Sequence, residues 1–145
     1  MPVLVADDAD MKWTAHHENI LIEWGDKAMC YRWLHGKAHA KYSWLNAVYT
    51  IPVIIMSTLT GTANFAIGRL DEEYKSYASI AIGGVNIIAG IITTIQQFLK
   101  VTELAEAHRA SSIAWDKFYR NAKVELARAP EERTPVTHGV KTAKE

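Results

Sequence analysis

No Asp, Glu, Lys or Arg occurs between Lys41 and Arg69, and none between Lys75 and Lys100. A helix rises about 1.5 Å per residue and a bilayer's hydrocarbon slab is about 30 Å thick, so roughly 20 uncharged residues suffice to cross it. Both windows are long enough. The connection Arg69-Leu70-Asp71-Glu72-Glu73-Tyr74-Lys75 is short and polar, so two helices joined by it must be antiparallel neighbours. The expected centre of the chain is therefore a two-span transmembrane hairpin from about Tyr42 to Leu99.

Averages hide this pattern. With net charge +0, 49% apolar and 22% charged residues, the bulk composition is that of an ordinary soluble protein, and the placement of charge carries the information instead. Aromatic rings with one wet edge prefer the headgroup layer, and Tyr42, Trp44 and Tyr49 at one end, Tyr74 and Tyr77 at the other, and Phe98 closing the second window match such a belt. Near the spans, Lys27, Arg32, Lys37, Lys41, Lys100, Arg109 and Lys117 lie on the terminal sides, against Arg69 and Lys75 in the loop. By the positive-inside rule both termini are expected in the cytoplasm. The run Val3-Leu4-Val5-Ala6 is too short for a signal-peptide core and is followed by Asp7, Asp8 and Asp10, so insertion is expected to be directed by the spans themselves.

The competing architecture is a soluble four-helix bundle with a buried central pair. Helices of a small soluble bundle must show water a polar face, whereas Ile51 to Met56 and Ile87 to Ile95 present apolar or small residues on every side. The expected fold is thus all-α: residues 1–12 as an N-terminal segment, an amphipathic helix over 13–41, transmembrane helix 1 over 42–68, a loop over 69–75, transmembrane helix 2 over 76–99, a continuing helix over 100–129, and a flexible tail over 130–145. Pro52 must either start a new helix or kink the existing one. No Gly or Pro interrupts Ile91 to Ala129, which predicts a second span running unbroken into the flanking helix.

Small and polar residues recur on one face of each span. In the first, Ser57, Gly61, Asn64 and Gly68 are spaced four, three and four apart; in the second, Ser79, Gly83, Asn86, Gly90, Thr93 and Gln97 follow the same rule. Small residues let backbones approach closely in lipid, and Asn, Ser or Thr there hydrogen-bond to a neighbour, which reads as helix packing and self-association. The functional reading of the same stripes is a polar pathway, and one hairpin cannot enclose a pore, so that reading requires an oligomer. Flanking the spans, His17, Trp24, Tyr31, Ala38 and Leu45 recur every seven residues, as do Leu104, Ser111 and Phe118 with Val101, His108, Trp115 and Ala122. These two helices are expected to pair as an antiparallel stalk, packed through Trp24, Tyr31, Leu104, Trp115 and Phe118.

Enzymatic chemistry finds little support. His35 and His39 have the i,i+4 spacing of a two-imidazole metal pair, with no further ligand pattern beside them. Cys30 lacks an evident base and orienting group, and as a single cysteine it excludes an internal disulfide. No P-loop, dinucleotide fingerprint or nucleophile elbow occurs, and Gly83-Gly84 in an apolar helix is a packing feature. Neither cofactor nor metal is expected, and without a basic block the chain has no footprint for nucleic acid.

The layout of helix, two-span hairpin and long helix resembles, over roughly Thr14 to Ala127, the SLATT group of small two-transmembrane proteins, which implies a pore-forming or channel role. Three blocks, Met11–Thr14 (MKWT), Glu23–His35 (EWGDKAMCYRWLH) and Thr50–Phe65 (TIPVIIMSTLTGTANF), resemble those of small proteins encoded by large double-stranded DNA viruses of algae and protists. That resemblance implies a structural protein of the viral internal membrane in the virion, with the bilayer, further copies of itself and capsid proteins as partners.

Overall fold

The computed structural model describes residues 13–134, which are helical almost throughout, with no strand among them. Three helices, α1 (Ala15–Ile67), α2 (Glu72–Phe98) and α3 (Val101–Ala127), precede one 3-10 turn at Pro130–Glu132. The N-terminal segment 1–12 and residues 135–145 of the expected tail lie outside the described residues.

Thr14 opens α1. Its hydroxyl accepts from the His17 amide at 3.5 Å and its carbonyl from the Glu18 amide at 3.1 Å, so two donors of the first turn are met at once. The helix then runs without interruption through Pro52, joining the segments expected as 13–41 and 42–68. A proline inside a helix costs one ladder hydrogen bond and a ring clash, about 3 kcal/mol, which packing on both sides of it must offset. The loop is shorter than 69–75: α1 ends in a turn closed by Arg69 N–H to the Ala66 carbonyl (3.0 Å) and Leu70 N–H to the Ile67 carbonyl (3.1 Å). Extended Asp71 then starts α2, whose first turn carries Glu72 and Glu73 against the positive end of the helix dipole.

Between α2 and α3 the expected unbroken helix is interrupted. Lys100 adopts a left-handed φ of 50°, and its N–H closes back on the Gln97 carbonyl at 3.1 Å. This is a helix C-terminus of the αL type without the customary glycine, at a cost of about 1 kcal/mol. Val101, immediately after, is 1% exposed and Ala105 is 6% exposed, so the re-aimed α3 buries the side chains that follow the turn.

The chain divides into two compact units, Met1–Gly36 with Arg109–Glu145, and Lys37–His108. In the second, α1 and α2 meet through Val53, Met56, Thr60, Ala63 and Ile67 on one side and Ala78, Ile82, Val85, Ala89 and Ile92 on the other, all buried or half-buried. The most enclosed of these are small, Thr60 and Ala89 at 6% exposure each. Other large apolar side chains point away: Ile54, Leu59, Phe65, Ile80, Ile87 and Phe98 are between 58% and 88% exposed. Both long helices are apolar enough to cross a membrane, and only 6% of each most apolar stretch is buried. A soluble bundle would bury these residues, so their outward placement argues against that alternative.

The other unit is held by different chemistry. Tyr31 stacks on Trp115 with centroids 5.0 Å apart, and Trp115 meets Phe118 edge-on at 6.3 Å. Arg32 bonds Asp116 at 2.7 Å, Arg120 joins the same carboxylate at 2.9 Å, and Ser112 donates to the Arg32 carbonyl at 3.2 Å. Ala28 (0%) and Ala122 (4%) are enclosed, and a methyl added at Gly25 would lie 4.0 Å from the Ala122 methyl. Pro130, Glu131 and Glu132 are exposed, whereas Arg133 and Thr134 are half-buried. Arg133, its side chain 7% exposed, pairs with Glu18, donates to the Leu126 and Arg128 carbonyls at 3.3 and 3.0 Å, and lies over the Trp13 ring. It thereby satisfies carbonyls at the end of α3 that have no partner within the helix.

Two outcomes are expected in detergent-solubilised protein. Arg133→Ala leaves Glu18 and those carbonyls without their donor, costing about 2 kcal/mol and lowering the thermal midpoint by on the order of 5 °C; circular dichroism melts measure it, and an unchanged midpoint contradicts the clasp. The Arg32 hydrogen bond, helped by the charges of Arg120 and Arg32, holds the Asp116 carboxyl below its ordinary range. Its contribution to stability is present above the unfolded value of about 3.9 and is lost as pH falls through the lower folded value. Asp116→Asn should flatten the acid-side decline in melting temperature, whereas a decline identical to that of the natural chain would exclude Asp116 as its source.

Candidate functional site

The candidate surface is built on the small-residue stripes, whose placement follows from helix geometry. Ser57, Gly61, Asn64 and Gly68 each come one residue after Met56, Thr60, Ala63 and Ile67, which pack against α2, and all four are exposed. Ser79, Gly83, Asn86, Gly90, Thr93 and Gln97 likewise follow Ala78, Ile82, Val85, Ala89, Ile92 and Gln96 by one; Gly83 and Thr93 are half-buried and the rest exposed. One residue is about 100° of rotation. On two helices running in opposite directions that step turns both stripes to the same side of the pair. Thr60 opposite Asn86 and Thr50 opposite Gln96 set the register, which brings Gly61 near the level of Asn86, Asn64 near Gly83, and Gly68 near Ser79. Ser57, Asn64, Ser79 and Asn86 thus each have a glycine near their level on the other helix, whereas Thr93 and Gln97 do not. A methyl group added at Gly61, Gly68, Gly83 or Gly90 would meet nothing within 4 Å, so these glycines are not required by the chain's own packing.

Asn86 does more than line that face. Its amide oxygen accepts from the Thr60 hydroxyl at 3.0 Å, while Thr60 also contacts the Met56 carbonyl at 2.9 Å. A second polar contact lies at the other end of the windows. Gln96 donates to the Asn46 amide oxygen at 2.6 Å and to the Thr50 hydroxyl at 2.9 Å, and Thr102 donates to the same Asn46 oxygen at 2.9 Å. Next to it His39 Nδ1 contacts the Ala105 carbonyl at 2.9 Å, and Tyr42 stacks on His108 at 5.5 Å. Among the described residues, every buried side-chain nitrogen or oxygen has a hydrogen-bond partner. Asn46, Thr50, Gln96 and Thr60 were not singled out by sequence periodicity, although Asn46 and Thr50 share the i,i+4 spacing of one helix face.

Of the residues expected to pack a stalk, Tyr31, Trp115 and Phe118 come together as described, Trp24 is half-buried, and Leu104 is 37% exposed beside the buried Ala105. His39, half of the possible metal pair, is engaged by a backbone carbonyl. No group of three or more His, Cys, Asp and Glu side chains converges among the described residues, and Cys30 is exposed.

Gln96→Leu should take one donor from Asn46 and one from Thr50 and loosen the two helices by about 1 kcal/mol. Cysteine pairs introduced at positions 50 and 96 should then crosslink more slowly than in the unsubstituted background; equal rates would show the contact to be dispensable.

No protein-family model, no curated protein and no solved structure matches this chain.

Proposed function

We propose that this chain is a non-enzymatic structural protein of a membrane, spanning the bilayer twice with both termini on the cytoplasmic side. The observation that carries this reading is the orientation of its apolar surface. Ile54, Leu59, Phe65, Ile80, Ile87 and Phe98 face outward along two helices whose most enclosed contact positions are the small Thr60 and Ala89 and which are joined by hydrogen bonds, the arrangement suited to a lipid solvent. The shared side bearing Gly61, Asn64, Gly68, Gly83, Asn86 and Gly90 is the surface through which copies associate. The paired segments carrying Tyr31, Arg32, Trp115 and Asp116 form an antiparallel stalk that docks partner proteins. The resemblance of its sequence blocks to small proteins of large DNA viruses directs the reading to a viral internal membrane, with capsid proteins as the docked partners.

A second reading, an oligomeric pore of the SLATT kind, is favoured by Asn64, an exposed amide within an apolar helix. Several copies joined with Asn64 and Asn86 facing a common axis would line a polar path.

Gly61→Leu with Gly83→Leu tests self-association at two positions where an added Cβ meets nothing within the chain. The variant should keep its helicity and run as a monomer by detergent-corrected ultracentrifugation, where the unsubstituted protein is an oligomer. An oligomer unaffected by both substitutions places the interface elsewhere. Ion flux into protein-containing liposomes, abolished by Asn64→Leu with Asn86→Leu, would establish the pore in place of the purely structural role.

A further inference from the structure

The elbow between α2 and α3 borders a half-open cavity of about 320 Å³ that no part of the proposed role uses. Thr93, Gln96, Gln97, Lys100, Thr102 and Glu103 line it together with Val101, and polar and apolar surface share its wall about equally. It opens where the second uncharged window ends: Leu99 is the last residue of that window and Lys100 the first charge after it. If the windows cross a bilayer, as proposed above and as this inference requires, the cavity lies at the depth of the lipid headgroups.

Its charges are matched rather than of one sign. Lys100 Nζ stands 3.6 Å from Glu103 Oε2, and the two side chains are 68% and 73% exposed, so neither is sealed into the pair. Both N–H groups of the Gln96 amide are spent on Asn46 and Thr50, which leaves its oxygen as the acceptor. A cation, an anion, an amide oxygen and hydroxyls within one cavity are complementary to a ligand carrying both an anion and a hydrogen-bonding cation. An anionic headgroup would oppose Glu103. A quaternary ammonium is held by aromatic faces, and no aromatic ring lines this cavity.

We propose that the cavity at the Leu99–Lys100 elbow binds the headgroup of a phospholipid with a primary ammonium, its phosphate on Lys100 and Gln97 and its ammonium on Glu103 and the Gln96 amide oxygen. An ammonium brings three N–H donors to a carboxylate and an amide oxygen, and the phosphate brings acceptors to the lysine. The bound lipid would insert between the members of a loose ion pair and exchange one exposed contact for two.

The full chain in nanodiscs of mixed phosphatidylethanolamine, phosphatidylcholine and phosphatidylglycerol, released into mild detergent and weighed by native mass spectrometry, tests this. Phosphatidylethanolamine should be retained above its share of the bilayer, and Lys100→Gln or Glu103→Gln should each lower its retention about tenfold, the loss of one charge-assisted hydrogen bond. Gln97→Leu, which alters an exposed lining residue without touching the ion pair, should lower it as well. Retention in proportion to bilayer composition, preference for phosphatidylglycerol or phosphatidylcholine, or indifference to all three substitutions overturns the proposal. Displacement of the lipid by millimolar soluble phosphoethanolamine as readily as by lipid would overturn the assignment to a membrane ligand. Alkaline carbonate separates the two readings: protein washed from vesicles sinks the membrane role and this site together, whereas protein that stays without a phosphatidylethanolamine preference sinks only the site.

Discussion

Close approach of two apolar helices through small residues governs the rest of this molecule. Thr60 and Ala89 are the most enclosed side chains where α1 meets α2, and their small size lets the two backbones approach closely there. Met56, Ile67, Ile82 and Ile92 are half-buried beside them, while Ile54, Leu59, Phe65, Ile80 and Ile87 stand on the outside. A pair built this way buries little apolar area of its own, so its cohesion falls on dispersion and on hydrogen bonds such as Thr60 to Asn86 and Gln96 to Asn46. In water the outward isoleucines would form a large exposed patch; in lipid they are solvated. That contrast is the physical ground of the membrane reading.

The unit formed by the chain's two flanking regions solves the opposite problem. Its contacts are stacked rings, a bidentate use of Asp116 by Arg32 and Arg120, and the enclosed Arg133 held by Glu18 and two carbonyls. Charged networks of this sort are solvated at their edges and gain little on the surface as isolated pairs, but Arg133 also caps a helix and covers Trp13, so several functions converge on one side chain. The segment after Ala129, rich in proline and charge, has the composition of a tail, yet through residue 134 it is held by Arg133 and by Thr134, whose carbonyl accepts from Trp13 Nε1 and whose amide donates to Glu125. Composition alone does not reveal such a contact, because it depends on where Glu18 and Trp13 stand in space.

Proline and lysine exchange the roles that local rules assign them. Pro52 sits inside a continuous helix, while Lys100, a good helix former, supplies the break. At Pro52 the flanking turns pack on both sides and carry the chain through. At Lys100 the left-handed turn brings Val101, Thr102 and Ala105 against α1, where Thr102 reaches Asn46 and the Ala105 carbonyl meets His39. Burial of Val101 and these contacts outweigh a backbone cost of about 1 kcal/mol. A periodicity scan finds no signal for such a break, since the residues on each side of it are individually helical.

The sequence by itself determined that the chain is all-helical, with two helices long and apolar enough to cross a membrane, because the spacing of charges along the chain is local information that needs no partner to be read. It also picked out the stripes of Ser, Gly and Asn, since four-three spacing fixes a face on any helix. Tertiary structure alone decided which face of each helix meets the other. The packed face and the stripe differ by a single residue, about 100° of rotation, and the choice between them depends on how Thr60, Ala89 and Gln96 fit across the pair. The same holds for the Lys100 elbow and the Arg133 clasp: each is a local cost accepted for contacts between residues far apart in sequence, and such contacts exist only once the helices are side by side.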